Sequence, residues 1–306
     1  MNILVTGANG QLGREMRRTA LNSRHQYIFT DAMPAEGLDT ILLDITDRAA
    51  VESIVNSRQV EVIVNCAAWT NVDACETDSV LAATAERVNA LAPAILAQAM
   101  REVGGLLVHI STDYVFGLEP YNTPCTEEQK GTPTGVYGHS KLRGEKAIRN
   151  SGVDHLIIRT AWLYSEYGKN FCRTMLKLTA EQPQINVVFD QTGTPTYALD
   201  LAEAITTILD RESWRGNTGT YHYSNEGVCS WYDFASEIIR LSGVQAQVTP
   251  CTRAQYKQMN PASTNRPAWS ALDNRMLRCT AGDPVRPWQQ ALECFFAHWD
   301  GENGMT

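Results

Sequence analysis

The 306-residue sequence has no C-x-x-C pair and no closely spaced set of Cys and His. Its eight cysteines, at 66, 75, 125, 172, 229, 251, 279 and 294, are widely scattered, which excludes a zinc ribbon and offers no disulfide framework. They read as reduced thiols, mostly structural. Positive charge is also in short supply: 26 Lys and Arg face 34 Asp and Glu, a formal net charge of -8. That balance excludes a general affinity for nucleic acid or for an acidic membrane, so an anionic ligand needs a local cluster of donors. Long apolar runs are missing at the start, where Ile3-Leu4-Val5 soon meets Gly7. This run is too short for a signal sequence or a membrane span, and a cytoplasmic location is expected. There is no internal repeat and no low-complexity tract.

What is present is a β-α rhythm. At this length one large domain or two unequal ones are expected. Short β-branched runs at 2–6, 26–30, 40–43, 60–65 and 106–110 alternate with helical patterns near 11–22, 46–57 and 81–103. A further helix carries Tyr137 and Lys141, and a sixth strand follows at 154–159. Such alternation predicts an α/β fold, a Rossmann-like doubly wound parallel sheet with ligands at the carboxyl ends of its strands. After Arg159 the rhythm gives way to Gly-, Pro- and Asn-containing loops. Helices are predicted at 198–210, 230–242 and 284–299, with a short strand at 219–224. The division expected is 1–160 for dinucleotide binding and 161–306 mainly for substrate, with some segments free to return to the first part. Gly301 to Gly304 reads as a frayed tail.

Thr6-Gly7-Ala8-Asn9-Gly10-Gln11-Leu12-Gly13 sets three glycines between the first strand and the first helix. Gly7 permits a tight turn, Gly10 lets backbone approach a pyrophosphate, and Gly13 lets the helix pack on the sheet, with the helix N-terminus facing the phosphates. Asp31, at the end of the second strand, stands where a carboxylate accepts from the adenosine ribose. On charge grounds that favours NADH, while Arg14 or another cation can accommodate a 2′-phosphate, so NADH and NADPH both stay open. Asp44, at the end of the third strand, is a candidate for the adenine side.

Only one of the eleven tyrosines has a lysine four residues on: Tyr137 with Lys141. On a helix the two share a face. Lys141 can then lower the phenol's pKa and reach the ribose hydroxyls of a nicotinamide cofactor, while Tyr137 exchanges a proton with a substrate oxygen. Thr112, just past the strand 106–110, is placed to hydrogen-bond the same oxygen and to stabilise the charge that hydride delivery creates.

The combination of the Thr6–Gly13 turn, Asn65-Cys66-Ala67-Ala68, Ser111 to Phe116 and Tyr137-Gly138-x-Ser140-Lys141 resembles the extended short-chain dehydrogenase/reductases. Further matching segments are Ala67 to Asp73, Arg159 to Tyr164, Asn170-Phe171, Asp190-Gln191-x-Gly193-x-Pro195-Thr196 and Trp231-Tyr232-Asp233, so the resemblance runs from residue 2 to about 290. It implies hydride transfer from NADPH or NADH to the C4 ketone of a dTDP-sugar, dTDP-4-dehydro-L-rhamnose. Thr112, Tyr137 and Lys141 become the catalytic group. Gly7, Gly10, Gln11, Leu12, Gly13, Asp31, Asp44, Ile45, Ala68, Trp69 and Thr70 would line the cofactor with Tyr137 and Lys141. Thr112, Asp113 and Trp162 would meet the sugar nucleotide, and Arg253 and Arg266 are candidates for its diphosphate.

Some members hold Mg²⁺ through glutamates at a dimer interface, and Glu15 matches one of these. No glutamate follows Pro195-Thr196, which counts against that metal site and that dimer without closing off Mg²⁺, and Glu15 reads as a solvated helical residue. A homodimer through 81–103 and 137–150 stays open. Two rivals remain. A sugar-nucleotide epimerase shares the Thr, Tyr and Lys, whereas a 4,6-dehydratase carries Thr-Asp-Glu where this chain has Thr112-Asp113-Tyr114. A non-catalytic regulatory subunit, like that of methionine adenosyltransferase, need not retain the Tyr-Lys pair.

Overall fold

The computed structural model describes residues 1–117, 122–261, 263–264, 266–282 and 285–299. Residue 284, where the last helix was expected to begin, and the tail 301–304 lie outside them.

Strictly apolar runs with no polar alternation suit strands covered on both faces. The central strands β1 (Asn2–Thr6), β4 (Val62–Asn65), β5 (Leu106–Thr112) and β6 (Asp154–Thr160) are of this kind, and with the less buried β2 (Gln26–Asp31) and β3 (Ile41–Leu42) they join Gly219–His222 in one sheet. The order is Gly219–His222, β6, β5, β4, β1, β2, β3, and every pairing in it is parallel. Alternate residues split the core in two. Ile3, Val5, Val62, Val64, Leu106, Val108, Leu156 and Ile158 pack on one face with helix α1 (Gln11–Ala20) and the Ala198–Asp210 helix. Leu4, Ile63, Leu107 and Ile157 pack on the other with helix α2 (Arg48–Ser57) and the Ala92–Val103 helix. The chain winds from β1 outward to β3, then returns through β4 to β6, so the winding reverses between β1 and β4. A ligand crevice opens at such a switch point.

Most expected elements are present with shifted ends. The third strand is only Ile41–Leu42, the fourth begins at Val62, and the fifth runs on to Thr112. Helix α2 begins at Arg48 because the Asp47 carboxylate accepts from the Ala50 amide at 3.1 Å and caps it. The helix expected at 81–103 is not uniform. It runs as Ser79–Glu86, a π-helical turn Arg87–Leu91, and Ala92–Val103. This 25-residue stretch is long and apolar enough to cross a membrane, yet it packs into the protein through Ile95, Leu96, Ala99 and Met100. It lies against the Val136–Ser151 helix of the same chain. In the C-terminal half, Trp231–Ser242 is started by a Ser230–Asp233 capping box, and the last helix is Trp288–His298.

Two segments after residue 160 belong to the sheet layers. Gly219–His222 adds an edge strand beside β6, and Ala198–Asp210 packs on α1. The strand is also shorter than the expected 219–224. What remains forms a separate aromatic-rich core around Tyr164, Tyr197, Phe234, Trp288 and Phe295.

Candidate active site

The glycine turn leaves β1 with Gly7 at φ +66°, a conformation that disfavours side chains. A Cβ on Gly7 would fall 2.6 Å from the Ala67 amide nitrogen, and one on Gly13 would fall 2.3 Å from the Gly7 carbonyl oxygen. Both positions therefore require glycine. Helix α1 starts at Gly10 with no side-chain cap and no acid in its first turn. Its leading N–H groups are thus free to meet an anion, which the helix dipole favours. These uncapped donors over a turn that only glycine can form fit the diphosphate of a dinucleotide.

The expected cofactor-lining residues divide into those that offer side chains and those that offer backbone. Asp31 accepts from the Asn9 amide at 3.0 Å and from the Met33 amide at 3.2 Å. Leu12 and Ile45 point into the two halves of the core, so only their backbone can face a ligand. Gln11 is occupied: its oxygen accepts from Asn170 at 3.0 Å, tying α1 to the 165–170 loop. Asp44 lies two residues past β3, exposed, and its carboxylate folds back on the Thr46 amide and hydroxyl at 2.8 Å. The Ala68-Trp69-Thr70 segment follows β4. There Asn89 accepts from the Trp69 amide at 2.9 Å and donates to the Trp69 carbonyl at 3.0 Å.

Asn89 is a site residue that the motifs did not single out. It sits in the π-helical turn and also donates to the Ser140 hydroxyl at 3.1 Å, while Ser140 donates to the Tyr137 carbonyl at 2.8 Å. One side chain therefore joins the 68–70 segment to the Tyr137 helix. The available signal was a polar residue inside an apolar helical run, and π-turns gather at functional positions.

Thr112, Tyr137 and Lys141 are brought together at the carboxyl end of β5. Tyr137 and Lys141 share one face of the Val136–Ser151 helix and are buried. Gly138 lets that helix approach: a Cβ there would fall 2.2 Å from the Tyr114 carbonyl oxygen. Tyr114 in turn meets the Tyr137 ring edge-on at 5.5 Å. Lys141 donates to the Ile110 carbonyl at 2.7 Å, two residues before Thr112. The Thr112 hydroxyl accepts from the Tyr114 amide at 3.2 Å and donates to Asp113 at 3.1 Å.

The electrostatics correct one expectation. Burial drives the Tyr137 phenol well above its ordinary pKa, with the Thr112 hydroxyl only partly offsetting it. The Lys141 ammonium is engaged with the Ile110 carbonyl, and the balance at the phenol is set by burial rather than lowered as expected. Burial also pulls Lys141 itself down to about 8, against the opposing pull of Glu145 one turn on. Burial raises Asp113 to about 6, with hydrogen bonds from Ser270 and Thr112 resisting. The site thus holds a firmly protonated phenol beside a carboxyl that titrates close to neutrality.

Glu145 is a second residue the motifs passed over. Its buried carboxylate accepts from Ser111 at 2.6 Å and from Arg159 at 2.9 and 2.8 Å. Burial pushes its pKa up, but Arg159, Ser111 and Arg149 more than reverse this and hold it ionised. The ends of β5 and β6 are thereby pinned behind Lys141.

A cavity of about 710 Å³ in the C-terminal half is lined by Phe171, Gln191, Trp231, Tyr256, Arg253 and Arg266 among others, and by none of Thr112, Tyr137 and Lys141. Arg253 and Arg266 both reach it, though each already has a partner, Asp190 at 3.5 Å and Asp73 at 3.3 Å. Trp162 adopts φ +48°, a strained value for a bulky residue. Its indole stacks on Trp231 at 3.5 Å, so one ring face is covered by protein.

Glu15 is not a solvated helical residue. It is fully buried in α1, and among the described residues neither carboxylate oxygen has a hydrogen-bond partner. Burial and the facing Glu166 raise its pKa to about 8. Helix packing of α1 against the C-terminal half encloses it. Among the described residues no group of three or more His, Cys, Asp or Glu could hold a metal ion.

A parallel sheet with its switch point at a glycine turn, and a buried Tyr-Lys pair beside a strand-end threonine, define a Rossmann-type reductase of the short-chain dehydrogenase kind. Residues 1–300 match the family described as the RmlD substrate binding domain. A dTDP-4-dehydrorhamnose reductase of Mycobacterium tuberculosis (strain H37Rv) is 39% identical, over 95% of this chain and 90% of that protein. The crystal structure of a dTDP-4-dehydrorhamnose reductase of Clostridium acetobutylicum superposes with a TM-score of 0.87 at 41% identity, covering 97% of this chain and 99% of that one. A Bacillus anthracis reductase of the same name, solved in complex with NADP, gives 0.84 at 34% identity, with 97% and 99% covered. The chain belongs to the RmlD family.

Proposed function

We propose that the chain is a cytoplasmic dTDP-4-dehydrorhamnose reductase, reducing the C4 ketone of dTDP-4-dehydro-L-rhamnose to give dTDP-L-rhamnose. The carrying observation is the convergence of Thr112, Tyr137 and Lys141 at one strand end, two strands away from the uncapped glycine turn. A nicotinamide cofactor held by the glycine turn and Lys141 would supply the hydride. Tyr137, kept protonated by burial, gives its proton to the C4 oxygen as charge develops there. Thr112 turns its hydroxyl from Asp113 to the same oxygen, adding a donor worth a few kcal/mol at about 2–4 in comparable sites. Lys141, its ammonium set by the Ile110 carbonyl and backed by Glu145, binds the ribose and resupplies positive charge beneath the phenol. The cavity with Arg253 and Arg266 suits a nucleoside diphosphate, since guanidinium groups fit its oxygens. Trp162, stacked on Trp231 and half-exposed, is the aromatic offered to the sugar.

An epimerase would use the same three side chains but regenerate its cofactor in each cycle, so the purified protein would retain bound nicotinamide. The test is spectrophotometric: oxidation of NADH and NADPH followed with dTDP-4-dehydro-L-rhamnose made in situ. Stoichiometric oxidation with formation of dTDP-L-rhamnose is expected. No ketone-dependent oxidation with either cofactor would refute the proposal.

A further inference from the structure

Resting on the dinucleotide reading of this same site, we propose that Glu145 is a positioning residue of the reaction, a buried counter-charge one helical turn behind Lys141 that keeps the lysine cationic for the cofactor ribose. Lys141, Glu145 and Arg149 follow one another at i, i+4 steps on the Val136–Ser151 helix, so each neighbours the next on its surface. Consecutive residues at the end of β5 divide the contacts with this side of the helix. The Ile110 carbonyl accepts from the Lys141 ammonium at 2.7 Å, and the Ser111 hydroxyl donates to Glu145 at 2.6 Å. The next residue is Thr112. Glu145 therefore acts on Lys141 across a gap, and its carboxylate is fixed from elsewhere. Oε1 also accepts from Arg159 at 2.9 Å, while Oε2 accepts from Arg159 at 2.8 Å and from Arg149 at 3.1 Å. Arg159 is itself set in place, 5.1 Å over the Phe116 ring and 3.3 Å from the His222 ring nitrogen.

A buried ammonium tends to shed its proton unless a negative group stands near it. The other titratable groups around Lys141 do not supply that charge. On β4, burial pushes the Cys66 thiol up to about 12, so it stays neutral. On β5, burial holds the His109 ring neutral, and Asp113 acts on Tyr137, whose phenol keeps its proton. His222 on the edge strand is held neutral at about 3 by burial and by Arg159. On the outer side of the helix, Glu76 is bonded to the Val136 amide and Glu86 is paired with Arg143. Glu145 is the ionised group that opposes burial at Lys141. Its own ionisation is secured by Arg159, Ser111 and Arg149, so the negative charge stays in place whatever the cofactor does.

The experiment follows NADH and NADPH binding to the purified full-length chain by nicotinamide fluorescence, from about pH 6 to about pH 10 and without sugar substrate. Its result therefore stands whether or not the chain reduces a ketone. Affinity of the unmodified chain should fall as pH rises through about 8, where Lys141 gives up its proton. Glu145→Gln removes the charge at nearly constant shape. It should bind as the unmodified chain does near about pH 6 and lose affinity about one pH unit sooner, becoming about tenfold weaker near about pH 9. That variant leaves Arg159 without its partner and can fail to fold, so a second one carries the test independently. Arg149→Gln, at a side chain 34% exposed, takes one cation from the carboxylate and should move the loss of affinity the other way, to higher pH. Loosened packing would not displace the two variants in opposite directions. No alkaline loss in the unmodified chain, or a loss at unchanged pH in Arg149→Gln or in folded Glu145→Gln, would overturn the proposal. Failure to bind either dinucleotide at any pH would overturn it together with the dinucleotide reading.

Discussion

Tyr137 illustrates how burial can keep a proton donor protonated. Its phenol is enclosed and raised, so in the reduction direction it carries the proton it must give. Tyr137→Phe should bind NADH normally and lose ketone reduction by about 10²–10⁴-fold; stopped-flow reduction together with cofactor titration checks both halves. Asp113 supplies a pH signature. Its folded-state value of about 6 lies above the ordinary 3.8, so the folded protein binds that proton more tightly than the unfolded chain. The stabilisation is complete below 3.8 and is lost as pH rises through about 6, amounting to about 2–3 kcal/mol. Asp113→Asn should gain on the unmodified protein by that amount as pH rises across this window, measured by chemical unfolding. A pH-independent difference would contradict the shifted carboxyl. At this scale the sequence was informative where chemistry is local: the i, i+4 Tyr-Lys pair and the strand-end threonine are pattern features. Asn89 and Glu145 escaped because their partners, at Trp69 and Ser140 or at Ser111 and Arg159, are assembled only by tertiary packing.

Among the elements, strands were legible because a sheet covered on both faces demands unbroken apolar runs, and their ends drifted because a cap or one ladder bond decides them. The π-turn at Arg87–Leu91 had no periodic signature: one extra residue per turn in a stretch rich in Ala and Leu leaves the apolar pattern intact. Its consequence is structural, since it delivers Asn89 to both the 68–70 segment and the Tyr137 helix. That helix also depends on close approach. In Gly138→Ala the new methyl would meet the Tyr114 carbonyl at 2.2 Å, a backbone atom that cannot rotate away. The helix must shift outward, carrying Tyr137 and Lys141 from Thr112. We expect a loss of about 1–3 kcal/mol in stability and a fall in kcat of at least about tenfold, as about 1 Å of misplacement is enough for a larger loss. Unfolding curves and steady-state kinetics on the same preparation check this, and unchanged kcat would show that the helix approach is not needed.

The change of rhythm after Arg159 was visible in the sequence, with later segments free to return to the first part, but which segments do so was not. Strand Gly219–His222 was legible as a strand, yet pairing to β6 joins residues 63 positions apart, which periodicity cannot report. The same holds for Glu15, whose helical position suggested solvent until α1 met the C-terminal half. There it faces Glu166, with Tyr197 donating to Glu166 and His298 beside them. Arg18 stands 3.9 Å away as the nearest cation, and Glu203 adds further negative charge. A buried carboxyl facing a second carboxylate is favoured in its protonated form, since burial and the like charge both oppose ionisation. Burial and Glu166 accordingly lift Glu15 from the ordinary 4.5 to about 8. Folding therefore favours the protonated Glu15; this stabilisation is full below 4.5 and is lost as pH rises through about 8. Stability should decline across neutral and mildly alkaline pH, with α1 and the 165–170 loop separating first in hydrogen exchange. Glu15→Gln, which supplies a permanent neutral donor to Glu166, should flatten that decline and stabilise the protein most at the alkaline end. Thermal unfolding across this pH range in both proteins provides the measurement, and parallel profiles would mean that Glu15 does not carry the extra proton in the folded state.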